Sequence, residues 1–73
     1  MFEADNATVE ALLQQDDAFR RLYEKHASLN ARVDHVTAGD EPMEDLQLEN
    51  LKKEKLLLAD RMQDMIREYR GHH

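Results

Sequence analysis

Two runs decide the fold: residues 19–36, FRRLYEKHASLNARVDHV, and residues 48–69, LENLKKEKLLLADRMQDMIREY. In the first, Phe19, Leu22, His26, Leu29, Val33 and Val36 recur at alternating steps of three and four. Leu48, Leu51, Lys55, Leu58, Met62, Met65 and Tyr69 keep the same rhythm in the second. That alternation keeps one stripe of a helix facing a partner and is the heptad seam of a coiled coil. Between the runs lies TAGDEP, residues 37–42, with Gly39 placed to stop one helix and Pro42 unable to continue it. Asp45 is then expected to cap the second helix, and Arg67 and Arg70 fall in its last turn, where cations suit the helix dipole.

A connection of this length favours two helices that fold back on each other. Folding back pairs Val36 with Leu48, Val33 with Leu51, Leu29 with Lys55, His26 with Leu58, Leu22 with Met62, and Phe19 with Met65. Every layer then joins an a position to a d position, as an antiparallel seam requires. The two polar members, His26 and Lys55, fall in adjacent middle layers. On one flank Lys25 and Arg32 both face Glu54, and on the other Tyr23 faces Ala59 and Ile66.

The chain before Phe19 is out of this register. Val9, Leu12 and Leu13 are interrupted by Gln14-Gln15-Asp16-Asp17, which predicts a separate short helix, with Asp16 capping the long one and Asp17 pairing with Arg21. The expected organisation is a single helical-hairpin domain over residues 1–73. It has a short helix over about 7–14, a long helix over about 17–37, a loop over about 38–45 and a second long helix over about 46–69. Residues 1–5 and 71–73 are expected to fray. The fold class is all-α: an antiparallel, coiled-coil-like two-helix hairpin with a short N-terminal helix. A bare pair of helices buries too little, and a second stripe, Leu56, Ala59 and Ile66, widens the apolar face of the second helix. That stripe is the candidate interaction surface. Its cover is expected from residues 7–14 or from a second subunit, with a homo-oligomer favoured.

Composition narrows the function. With 73 residues the chain can build one thin core and hardly the walls of an enclosed pocket. Sixteen acids against ten Lys and Arg give −6, spread over both halves, so approach to phosphates is repulsive and no nucleic-acid partner is expected. Without Cys there are no disulfides, thiolate metal ligands or thiol nucleophiles. Met1-Phe2-Glu3-Ala4-Asp5 lacks a signal-peptide pattern, and the longest apolar run, Leu56 to Ala59, is too short for a bilayer. A cytoplasmic chain without a membrane partner is expected.

The run Phe19-Arg20-Arg21-Leu22-Tyr23-Glu24-Lys25-His26, followed by Leu29, resembles the first helix of the YdcH-like family. Leu48-Glu49-Asn50-Leu51-Lys52-Lys53-Glu54-Lys55-Leu56, followed by Leu58 and Asp60, resembles its second. The likeness spans about residues 12–66, and Asp17-Ala18 stands where family members often have His-Pro before the Phe. Likewise, Ala59 stands where a Lys often precedes the Asp. The resemblance implies a small bacterial helical hairpin and supplies no activity.

The chemistry-bearing residues point the same way. His26 in an apolar seam beside Lys55 could titrate near neutrality, although a polar residue that sets the register is the commoner role. The Lys55 stem can lie in the seam while its ammonium reaches water. His72 and His73 sit together at the chain end without a fixed geometry, and His35 stands alone near the end of the first long helix. Asp60, Asp64 and Glu68 share an outward face and read as solvated surface. Met62 and Met65 read as seam filler. No nucleophile triad, phosphate loop or zinc motif occurs, so no catalytic residue, metal site or cofactor is expected, and the chain is not expected to be an enzyme. The expected function is a helical-hairpin interaction module that self-associates or docks a protein partner. The alternative is a pH- or metal-responsive small regulator using His26 or the terminal histidines.

Overall fold

The computed structural model describes residues 6–72, and among them all regular structure is helical: α1 (Asn6–Gln15), α2 (Asp17–Thr37) and α3 (Asp45–His72). Asp16 separates α1 from α2 by adopting an extended conformation, φ −125° and ψ 107°. Its carboxylate accepts the Phe19 N–H at 3.1 Å, which satisfies one of the four amide donors that a helix start leaves open. The carbonyls that α1 leaves open at its other end are met from α2. Arg20 Nε donates to the Leu13 carbonyl at 2.9 Å and Nη2 to the Gln14 carbonyl at 3.5 Å. The same guanidinium pairs with Asp17 at 3.0 Å, so Arg20, not Arg21, is the partner of that acid. Arg20 lies over the helix junction, where one cation can serve both the carboxylate and the carbonyls.

At the far end of α2, Gly39 takes φ 87°, its N–H donates to the Val36 carbonyl at 3.1 Å, and the Asp40 N–H donates to the His35 carbonyl at 2.9 Å. This pair of bonds is the Schellman motif, and its left-handed residue favours glycine because a Cβ is strained there. The following turn brings Glu41 to Arg32 at 3.1 Å, while Glu54 is held by Lys25 at 3.2 Å. Arg32 therefore pairs within the connection and not across to Glu54 as expected. The Leu48 N–H donates to the Glu44 carbonyl at 3.0 Å, which puts Asp45 inside the first turn of α3, not at its cap. From there its charge still faces the positive end of the helix dipole. α3 runs through Gly71 to His72, because Gly71 stays right-handed.

The 28 residues of α3, at about 1.5 Å each, set the 44 Å long dimension of the molecule. α2 packs along α3, and α1 touches both. Val9 and Leu12 of α1, Phe19 of α2, and Met62 and Ile66 of α3 form the core cluster, with Leu13, Leu22, Met65 and Tyr69 packed around it. Phe19 and Met62 are wholly buried. The core therefore lies where α1 joins the other two helices, while further along Val33 is buried outside this cluster. Ile66 is covered from within the chain by α1, where the sequence favoured a second subunit.

Candidate functional site

Polar residues in the seam come from both long helices. His26 of α2 and Lys55 of α3 are each half-buried, and Lys55 Nζ donates to Asn30 Oδ1 at 2.8 Å. Burial disfavours the charged imidazolium, and the Lys55 ammonium adds like-charge repulsion, so the His26 pKa falls below its ordinary 6.5. The structure thus brings the two polar seam residues into electrostatic contact and turns the ammonium toward a neutral amide oxygen. Glu54, next to Lys55 in sequence, is engaged by Lys25.

The expected interaction stripe does not form one surface. Ala59 and Ile66 are buried, whereas Leu56 is 61% exposed. Ile66 belongs to the core that α1 completes, and Leu56 faces solvent as Leu46 and Leu57 do. Scattered exposed leucines are ordinary on a small protein and do not define a site.

A more coherent surface lies in the open groove between α2 and α3. Its floor is Leu22, Leu58 and Met65, with Ala18 at one end, and its rim carries Arg21, Lys25 and Arg61. Ala18, Leu22 and Lys25 share one face of α2, and Leu58, Arg61 and Met65 share one face of α3, by their steps of three and four. Arg61 and Ile66 fall on opposite sides of the α3 seam, so α1 covers one flank of the helix pair and leaves this one open. No carboxylate among the described residues lines the groove, although the chain carries −6 overall. Lys25 is paired with Glu54, while Arg21 and Arg61 have no ion-pair partner among the described residues. The groove was not anticipated from sequence. Its signal was there in the cations at Lys25 and Arg61, which occupy the same flank of the two heptad runs.

Among the described residues no three His, Asp or Glu side chains gather as a metal site. His35 Nδ1 stands 3.6 Å from Asp40 across the end of α2, and Asp64 pairs with Arg67. His73 and the side chain of His72 lie outside the described residues. No helix among the described residues is long and apolar enough to cross a membrane.

A family model described as "Protein of unknown function (DUF465)" matches residues 19–66. The match begins at Phe19 in α2, ends at Ile66 in α3, and leaves α1 outside it. No curated protein and no solved structure matches the chain.

Proposed function

The chain belongs to that family, the YdcH-like proteins of unknown function, and on this premise we propose that it is a non-enzymatic helical-hairpin interaction module. Its α2–α3 groove docks a protein, either a partner chain or a second copy of this one. The carrying observation is the groove itself: an apolar floor of Leu22, Leu58 and Met65, left open on the flank that α1 does not cover. Apolar surface with a charged rim is the usual anatomy of a protein-docking patch. The antiparallel, coiled-coil-like arrangement belongs to this reading. It is supported by Phe19 clustering with Met62 and Ile66, whereas Lys25 and Asn30, later on α2, meet Glu54 and Lys55, earlier on α3.

The test is site-specific photocrosslinking in the native host. A photoreactive residue at Ala18, exposed at the groove end, should give an adduct of discrete mass. The same residue at exposed Lys53, away from the groove, should not. Absence of an Ala18 adduct at natural abundance counts against docking there. An adduct of twice the chain mass identifies a second copy.

A second reading, a pH-responsive regulator acting through His26, is favoured by the lowered pKa of a half-buried ring beside Lys55. Sedimentation across the histidine range separates the two, since only the regulator changes its association with pH.

A further inference from the structure

The rim of the groove runs against the net charge of the molecule. In a chain of net charge −6 it presents three cations and no carboxylate among the described residues, and two of those cations, Arg21 and Arg61, are without an ion-pair partner there. Arginine is a directional donor suited to carboxylates, and it presents a planar fork that lysine lacks. The floor between them is apolar and runs along two adjacent helices, which suits the apolar face of a third helix. We infer that the groove takes an acidic amphipathic helix of another protein, with its leucine-type residues on Leu22, Leu58 and Met65 and its carboxylates on Arg21 and Arg61. The inference rests on the docking reading above and names the chemistry of the partner.

The competing occupants fit less well. A second copy joined by a two-fold axis would set groove against groove and place Arg21 and Arg61 among like charges. A head-to-tail contact avoids that clash but leaves an unfilled groove at the end of the array unless the rotation closes a ring. A nucleic acid would satisfy the two arginines yet meet the acidic remainder of the chain. An acidic helix meets three clustered cations in the groove and is steered there by the contrast with the net charge of −6.

The experiment uses the full chain and two synthetic three-turn helical peptides labelled for fluorescence anisotropy. One carries leucines at i, i+4 and i+7 flanked by glutamates, and the other is identical with lysines in place of the glutamates. The glutamate peptide should bind, more weakly as salt rises, and the lysine peptide should not. Arg21→Gln/Arg61→Gln should weaken binding about tenfold, since two exposed charge contacts are removed. Ala18→Glu should weaken it as well by placing a carboxylate in the groove. Because Ala18 lies in the first turn of α2, an acid there favours the helix and the variant stays folded. Equal binding of both peptides, lost in Ala18→Glu, would overturn the acidic preference and leave docking at the groove standing. Failure of both peptides to bind, or binding unchanged in the arginine double variant, would also overturn the inference. The broader docking reading is judged separately by the Ala18 crosslink.

Discussion

Arg20 of α2 ties down the end of α1 by donating from Nε to the Leu13 carbonyl at 2.9 Å while its Nη1 holds Asp17 at 3.0 Å. Arg20→Ala should therefore release α1 selectively. The expected cost is about 1 kcal/mol, the usual net worth of such a hydrogen bond at a partly exposed position. Hydrogen exchange should speed up in Asn6–Gln15 and stay nearly unchanged in the middle of α2 and α3. Arg20→Lys should not restore protection, because a lysine cannot serve the carbonyls and the carboxylate with one planar fork. Unchanged α1 protection in Arg20→Ala would show that apolar docking alone holds the helix.

Gly39→Ala should destabilise the molecule by about 1 kcal/mol, because a Cβ is strained in the left-handed conformation at φ 87°. Space is not the issue, since an added Cβ there meets nothing within 4 Å. Gly39→Asn should cost less than alanine, as asparagine tolerates that region. Urea midpoints of the three proteins give the ranking directly.

Phe19→Ala should cost about 3–5 kcal/mol, as for other large buried aromatics, and a chain of this size holds only about 4–11 kcal/mol in all. The variant should lose most of its cooperative thermal transition. Val33→Ala, at a buried position outside the Phe19 cluster, should lower the melting temperature much less. Similar losses at both sites would mean that the seam is uniform along its length.

His26 links stability to pH. Its folded pKa lies below the 6.5 of the unfolded chain, so in acid the unfolded state binds the proton more readily. Stability is therefore full above pH 6.5 and is lost as the pH falls from there through the folded pKa. The Lys55 ammonium repels the charged ring, and Glu54, next to Lys55 in sequence, is engaged by Lys25. His26→Leu should stabilise the protein more at about pH 5 than at about pH 8. Urea unfolding at both values checks this, and an equal gain at each would show that another group senses the proton.

How far the residues alone reveal this molecule depends on the range of each interaction. Helix boundaries set by local chemistry were legible: Asp16 as a cap for α2 and Gly39 as its stop need only neighbours a few positions away. That the two long helices pack on each other was legible because period is a one-dimensional property. The reach of Arg20 to Leu13 was not, since it depends on the angle at which α1 turns back over α2. For the same reason the sequence points Arg32 to Glu54, because nothing in a linear reading shows that the turn after Gly39 presents Glu41 first. Leu56, Ala59 and Ile66 form one stripe in sequence, yet α1 closes over Ile66 while Leu56 stays exposed. The groove is hidden in the sequence because its apolar floor consists of residues that also belong to the two heptad runs.

The position of Phe19 also bears on how the chain must assemble. Residues beside the turn, such as Val36 and Leu48, are the cheapest to bring near each other, because little chain is closed between them. They are also only half-buried, so forming them early gains little. The strongest burial waits until Phe19 reaches Met62 and Ile66 across most of the intervening chain and α1 closes over them. Zipping outward from Gly39 thus gains the burial of Val33 early but reaches the larger burial of Phe19, Met62 and Ile66 only in its final layers. Partly zipped forms should be sparsely populated, and folding should be closer to all-or-none than the local topology of a helical protein would suggest.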